Sequence, residues 1–452
     1  MRRYRIPLLA ALAVVLLVLA TAAGAALPQA QAAPKRARAL NAALQAIVDR
    51  PERPLSGLAT LTVRNGRVSY EGYFGYRFID NEDPATNLPV ERATKFRIAS
   101  ISKLVAAIGV MQQVEAGRID LDADAGSYLG FPFRNPAYPD TPITVRMLLS
   151  HTSSVRDGSR YTFPPADGLD EVFLPGKYWR GGEHWAPLGE APGHYFTYAN
   201  LNYGVLATIL ERVTGMRFDA YMRTHVLLPL GCAASYNVRD FTPDELAQVA
   251  TLYRKRDPQG TWDPTGPWYP QVDDYRGVMP PEPEGAAEYV PGTNATWQGP
   301  QGGLRISALD LSRVMRMFIN GGVFRGVRLL RPETVDLMFT PQWTYDETSP
   351  NGDTYWDLMR SYGLGPHILT NTGGDRLLAD RDVFMSGHLG EAYGLLSGMM
   401  MDREGRDGFI YLIGGLGADP DEHFGDYSTF YKWEEEIITE LFEKELLRVA
   451  RP

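Results

Sequence analysis

The chain has 452 residues, of which 44% are hydrophobic and 22% are charged, so it can bury a large core in one elaborate domain or in two. Its formal charge of −9 disfavours nucleic acid and anionic membrane surfaces as partners. Cys232 is the only cysteine, which excludes an intramolecular disulfide, and its hydrophobic surroundings favour a core residue over a nucleophile.

The first 32 residues have the pattern of a secretory signal. A basic start precedes an uncharged apolar run, and Ala30-Gln31-Ala32 is typical of a signal cleavage site. The apolar run at 8–26 is also long enough to cross a bilayer as an uncleaved anchor. In both cases we expect residues 33–452 to be exported, either to the periplasm or outside the cell. Contact with a membrane is expected only if the segment is retained.

Strand and helix patterns follow one another along the rest of the chain. Residues 40–48 have helical periodicity, and strand-like runs at 55–64 and 67–76 are joined by Asn65-Gly66, a strong hairpin signal. Apolar helices are predicted at 100–117, 202–213 and 307–320, each followed by a stop signal. Three strand-like runs come next, at 384–390, 393–402 and 407–417, and an amphipathic helix is predicted at 431–450.

This order of elements predicts an α+β fold. We expect an antiparallel sheet flanked by N- and C-terminal helices, built from about 33–98 and 305–452. A helical subdomain, at about 99–304, is inserted beside it, and a site is expected in the crevice between the two parts. The loops at 157–190 and 240–295 are rich in Pro, Trp, Tyr and acidic residues. No role is predicted for them.

Ser100 and Lys103 are the first residues that suggest chemistry. They lie at the start of the first apolar helix, where residues three apart share a face with about 5–6 Å between their Cβ atoms. A lysine that loses its proton could activate the serine hydroxyl. Alternatively, Ser100 caps the helix and Lys103 extends its ammonium to the surface. The S-x-x-K pattern alone does not decide between these interpretations.

Two further motifs are ambiguous when each is considered alone. Tyr198-Ala199-Asn200 precedes a helix, as a buried tyrosine and a capping asparagine would. His388-Leu389-Gly390 lies in a strand, where a lone histidine is usually a core or surface residue. The chain contains neither G-x-S-x-G nor H-E-x-x-H, and none of its seven histidines has metal-ligand spacing. We therefore expect no metal site.

Taken together and in this order, FRIASISK, YAN and HLG resemble the serine β-lactamase-related family. This family includes class C β-lactamases, D-alanyl-D-alanine carboxypeptidases, D-aminopeptidases and family VIII-type carboxylesterases. The resemblance extends through stretches such as MLLSHTSSV and PQGGLRISALDLSRVM to nearly the whole mature chain. It implies a β-lactamase/transpeptidase-like fold and requires no cofactor.

The resemblance also implies roles for seven residues. Ser100 would be the acylated nucleophile and Lys103 its base, while Tyr198 would relay protons to the leaving group. Asn200 would hold the substrate, and His388 would replace the lysine of the K-T-G motif. The strand at Gly390 and Glu391 would complete the oxyanion hole through the Glu391 backbone N–H. The Glu391 side chain would either turn away or bind a cationic amine of the substrate.

The function implied is that of an exported serine hydrolase acting through an acyl-enzyme. D-amino-acid peptides of cell-wall type are the leading substrates, and small esters come second. A β-lactamase is a weaker alternative, because a histidine with a pKa of roughly 6.5 is mostly uncharged at neutral pH and attracts a carboxylate less than lysine does. A non-catalytic, wall-associated penicillin-binding-like protein is the other alternative. The expected partner is a small-molecule or peptide substrate, and the oligomeric state is not predicted.

Overall fold

The computed structural model describes residues 35–447. The predicted signal or anchor segment lies outside these residues, and so does the end of the predicted C-terminal helix. Within residues 35–447, no helix combines the length and the apolar composition needed to cross a membrane.

The described part of the chain contains eleven α-helices and sixteen strands. The helices are α1 (Lys35–Val48), α2 (Ile101–Glu115), α3 (Ala125–Leu129), α4 (Val145–Leu149), α5 (Asp170–Phe173), α6 (Leu201–Thr214), α7 (Phe218–Met222), α8 (Pro243–Leu246), α9 (Ala308–Ile319), α10 (Pro332–Met338) and α11 (Lys432–Leu441). The strands are β1 (Gly57–Arg64), β2 (Arg67–Phe78), β3 (Leu88–Pro89), β4 (Lys95–Arg97), β5 (Leu252–Arg254), β6 (Tyr269–Val272), β7 (Arg305–Ser307), β8 (Val323–Phe324), β9 (Val327–Arg328), β10 (Trp343–Thr344), β11 (Ser361–Tyr362), β12 (His367–Ile368), β13 (Ser386–Ala392), β14 (Leu395–Asp402), β15 (Asp407–Ile413) and β16 (Gly415–Leu416).

A nine-stranded antiparallel sheet forms the centre of the fold. Its strand order is β10-β11-β12-β13-β14-β15-β1-β2-β3, so the N-terminal hairpin joins the C-terminal strands. The β1–β2 turn is formed by Asn65 (φ 50°) and Gly66 (φ 74°), the left-handed pair that a tight hairpin requires. The predicted antiparallel sheet and its α+β class are confirmed.

Helices cover both faces of this sheet. Alternation along β15 directs Ile410 and Leu412 to one core and Phe409, Tyr411 and Ile413 to the other. The second core is closed by the terminal helices α1 and α11, whose apolar residues belong to the same cluster. The first core is closed by α2, α6 and α9. The predicted covering by terminal helices is therefore confirmed.

The middle of the chain, from α2 to β6, is mostly helical but also contributes two strands to a small sheet. β5 pairs in parallel with β16, which follows the last long strand of the main sheet. β4 and β7 pair with each other close to the predicted limits of the insert. Those limits, near residues 99 and 304, stay a prediction. Cys232 is buried, as expected of a core residue.

Candidate active site

Ser100 occupies the N-cap position of α2, but its side chain does not cap the helix. Its backbone is helical (φ −68°, ψ −12°) and its hydroxyl makes no capping hydrogen bond. The preceding Ala99 has φ 46°, so the chain turns sharply between β4 and Ser100. The structure thus disfavours the interpretation of Ser100 as a simple cap. The hydroxyl instead lies 2.9 Å from the Lys103 Nζ.

Lys103 is completely buried and does not reach the surface. Its Nζ lies 2.9 Å from Ser100 Oγ, 2.7 Å from Asn200 Oδ1 and 3.0 Å from the Gln301 carbonyl oxygen. All three partners are neutral, so no negative charge in direct contact offsets the cost of burying the ammonium. Burial lowers the pKa of Lys103 to about 7, and the Asp157 carboxylate opposes this shift. The amine can therefore act as a base near neutral pH.

Asn200 links Lys103 to Asp157, a residue that sequence reasoning missed. Asn200 accepts from Lys103 through Oδ1 and donates through Nδ2 to Asp157 Oδ2 at 2.8 Å. The other Asp157 oxygen accepts from the Leu201 backbone N–H at 2.9 Å. The Asp157 carboxylate thus accepts from the first backbone N–H of α6 and orients the side-chain amide of Asn200. Asp157 lies 43 residues before Asn200 in the chain, so no local sequence pattern indicated that the two residues would meet.

Tyr198 packs between Lys103 and a buried histidine. The Lys103 Nζ lies 4.7 Å from the centroid of the Tyr198 ring. The His151 ring stacks on the Tyr198 ring, with 4.3 Å between the two centroids. The Tyr198 hydroxyl has no hydrogen-bond partner of normal geometry among residues 35–447. Burial raises its pKa well above 10, and the nearby Ser100 hydroxyl opposes the shift. Tyr198 is therefore a neutral phenol in the resting protein.

His388 lies next to Tyr198 but behind the cavity wall. It is completely buried; its Nδ1 donates to the Leu389 carbonyl oxygen at 2.5 Å, so Nε2 accepts from the Tyr362 hydroxyl at 2.9 Å. Burial and the charge of Lys103 lower the pKa of His388 to about 3. The ring is thus uncharged and has no free nitrogen for a substrate. The structure places His388 where it can orient its neighbours.

Gly390 allows β13 to approach Ser100 closely. A Cβ at this position would lie 2.6 Å from the Ile98 carbonyl oxygen and 3.0 Å from the Ser100 backbone N. Any side chain would therefore push the strand away from the start of α2. The Glu391 carboxylate lines the same cavity, and the Tyr431 hydroxyl donates to it at 3.5 Å. Burial raises the pKa of Glu391, as does the nearby Asp421.

A cavity of about 930 Å³ opens above Ser100. Its wall includes Tyr198, Asn200, Gly390 and Glu391, so the structure brings five of the seven predicted residues to one surface. Lys103 and His388 lie behind this surface. Exposed aromatic side chains stand at the cavity, namely Trp356, Phe424, Tyr393 and Tyr161.

One wall of the cavity is acidic. Glu391, Asp421 and the buried Glu434 all line it. Tyr411 donates to Glu434 at 2.7 Å, yet burial still raises the pKa of Glu434 to about 7. Within residues 35–447, no group of three or more His, Cys, Asp or Glu side chains is arranged to hold a metal ion. The contact between the Ser100 hydroxyl and the buried Lys103 amine suits acyl transfer to a serine.

Comparisons with known proteins identify the family of the chain. The family model described as "Beta-lactamase" matches residues 38–430. "Protein Rv1367c" of Mycobacterium tuberculosis is 26% identical over 351 residues, covering 72% of this chain and 77% of that protein. "Protein flp" of Staphylococcus aureus is 27% identical over 181 residues, covering 39% of this chain and 34% of that protein.

Solved structures show the same fold. The D-amino acid amidase from Ochrobactrum anthropi SV3, complexed with D-phenylalanine, is 20% identical and has a TM-score of 0.60, covering 91% of this chain and all of that one (100%). A penicillin binding protein from Bacillus halodurans is 19% identical with a TM-score of 0.58, covering 88% and 99%. The family-model match spans most of the chain and confirms the resemblance: this chain belongs to the beta-lactamase family, whose fold supports serine hydrolases.

Proposed function

We propose that the chain is a serine hydrolase that forms an acyl-enzyme on Ser100. The observation that carries this proposal is the 2.9 Å contact between Ser100 Oγ and a buried lysine amine whose pKa is lowered to about 7. A serine hydroxyl is a weak nucleophile unless a base lies within hydrogen-bond reach. Lys103 can be this base, because its amine lies within hydrogen-bond reach of Ser100 and is partly unprotonated at neutral pH.

The reaction follows from the positions of the groups. Ser100 Oγ attacks the substrate carbonyl while its proton passes to the Lys103 amine. The oxyanion is held by the backbone N–H groups of Ser100, at the start of α2, and of Glu391. When the tetrahedral intermediate collapses, the neutral Tyr198 hydroxyl gives its proton to the leaving group and regains one from the Lys103 ammonium, which holds the proton taken from Ser100. Water then hydrolyses the acyl-enzyme by the reverse proton path.

We further propose D-amino-acid peptides or amides as the leading substrates. The cavity of about 930 Å³ is larger than a small ester needs, and its acidic wall suits a substrate ammonium group. The similar fold of a D-amino acid amidase supports this class. A small ester is the second candidate, since the uncharged His388 provides no cation on β13 for a substrate carboxylate. An efficient β-lactamase stays the weaker alternative, because the uncharged His388 stands where the K-T-G motif has its lysine.

The place of action is proposed from the N-terminal sequence. The signal-like residues 1–32 support export to the periplasm or the exterior, and the net charge of −9 gives no support to nucleic-acid binding. The proposed partner is a small-molecule or peptide substrate, with membrane contact only if the N-terminal segment is retained.

A fluorophosphonate probe tests the assignment of the nucleophile. Such a probe should label the wild type and the Ser127→Ala variant, whose exposed serine lies away from the cavity. Ser100→Ala should remain unlabelled and should not hydrolyse D-amino-acid amides or nitrophenyl esters. Its unfolding temperature should stay close to that of the wild type, because only one oxygen is removed. Labelling that persists in Ser100→Ala would show that another residue is the nucleophile.

A further inference from the structure

Arg97 carries a charge that the surrounding protein does not balance. It ends β4, and its cross-strand neighbour on β7 is Arg305, so two guanidinium groups face each other in one antiparallel pair. Like charges directly opposite each other on paired strands are unfavourable. The buried Asp273 binds Arg305 in a bidentate manner, at 2.7 and 3.0 Å. Asp273 accepts hydrogen bonds from Arg305 and from the Tyr275 hydroxyl at 2.9 Å, and none from Arg97.

Arg97 itself has neutral contacts. Its Nε donates to the Gly302 carbonyl oxygen at 3.3 Å, and its guanidinium lies 5.1 Å from the centroid of the Tyr393 ring. Within residues 35–447, no carboxylate lies within ion-pair distance of it. The charged and titratable groups that face it are Arg305, Asp273 and the phenols of Tyr393, Tyr275 and Tyr161. A partly buried cation without a carboxylate of its own is the state of a site prepared for an anion.

Arg97 lines the same cavity as Ser100, and so do Tyr393 and Gly302. Lys103 donates to the carbonyl oxygen of Gln301, and Arg97 donates to that of the next residue, Gly302. The guanidinium and the catalytic amine therefore bind neighbouring peptide groups of one segment. An anion held by Arg97 would therefore lie in the cavity that opens above Ser100, where a substrate can reach both residues.

We propose that Arg97 binds a carboxylate of the substrate, so that the preferred substrates are peptides with a free carboxylate near the scissile bond. This inference rests on the proposed function and deepens it. The neutral His388 leaves β13 without a cation, and Arg97 provides one from β4 instead. A guanidinium suits this role because it stays charged and can form two parallel hydrogen bonds with a carboxylate. The acidic wall of the cavity then receives the ammonium end of the same peptide.

A matched pair of substrates tests this role. The pair is a short D-alanyl peptide with a free C-terminal carboxylate and the same peptide with a C-terminal amide. Wild type should prefer the carboxylate form. Arg97→Gln should lower kcat/KM on that form by about tenfold to a hundredfold, the range for loss of a charged hydrogen-bond partner, and should lower the amide rate far less. Arg97→Lys should keep part of the preference. Arg256→Gln, which changes an exposed arginine outside the cavity, should behave as wild type.

Two controls keep the inference separate from the proposed function. Fluorophosphonate labelling counts working Ser100 sites in each variant without requiring a substrate carboxylate. If no peptide is hydrolysed, N-acetyl-D-alanine should still slow labelling of the wild type more than its amide does, and Arg97→Gln or, if that variant does not fold, Arg97→Lys should weaken this protection. Equal losses on carboxylate and amide, or equal protection by both compounds, would overturn the role of Arg97 while leaving Ser100 as the nucleophile.

Discussion

The pH dependence of acylation tests the central claim, that Lys103 is the base. The structure lowers the pKa of Lys103 from 10.5 to about 7 because the amine is buried among neutral partners. At pH 7.5, a lysine of ordinary pKa is about 0.1% neutral, whereas one with a pKa of about 7 is about three-quarters neutral. Burial thus increases the fraction of usable base by several hundredfold, roughly the effect expected of a positioned base in catalysis.

The assay is the second-order rate of Ser100 acylation by a neutral nitrophenyl ester, measured by stopped flow from pH 5 to 10. The rate should rise as Lys103 loses its proton, with a midpoint near 7, and should level off above pH 8. Asp157→Asn should move the midpoint to lower pH, because the Asp157 charge raises the pKa of Lys103. Asp244→Asn, on the short helix α8 outside the cavity, should leave the midpoint unchanged. A flat profile between pH 6 and 9, or a midpoint near 10, would refute the reasoning.

Four further predictions concern β13 and its neighbour Tyr362 on β11. Gly390→Ala should abolish acylation and lower the unfolding temperature, because its Cβ would lie within 3.0 Å of backbone atoms; Gly176→Ala, whose nearest neighbours would be 3.5 Å away, should change neither. Glu391→Gln should reduce kcat/KM on free-amine D-peptides but not on their acetylated forms, and equal losses on both would remove the amine-binding role. His388→Lys should lower the unfolding temperature more at pH 6 than at pH 10, since burial would depress the lysine pKa and the buried ammonium costs stability as the pH falls below about 10.4; an unfolding temperature at pH 6 equal to that of the wild type would contradict this. Tyr362→Phe should leave the fold intact and lower turnover on all substrates alike.

Local patterns were sufficient to predict much of the fold. The Asn65-Gly66 turn, the apolar periodicity of α2, α6 and α9 and the strand-like runs that became β13–β15 all correspond to observed elements. These features depend on backbone preferences and on the spacing of apolar residues within one element, so they are visible in sequence. The pairing of β5 with β16 was not predicted, because short strands distant in the chain carry no mutual signal.

The residues of the candidate site could be predicted from the sequence, but their properties could not. Ser100, Lys103, Tyr198 and Asn200 were recognisable because each lies in a short motif at the start of a helix. Their pKa values could not be predicted from the sequence, because a pKa depends on the groups that surround a side chain from all sides.

Sequence by itself thus determined which residues could react and which elements carry them. Only the tertiary structure decided that Lys103 is buried among neutral acceptors and that His388 faces Tyr362 behind the cavity wall. It alone brought Asp157 to Asn200, and it placed Arg97 opposite Arg305 with one carboxylate between them. Burial and charge are set by contacts between segments far apart in the chain, and these contacts exist only once the chain has folded.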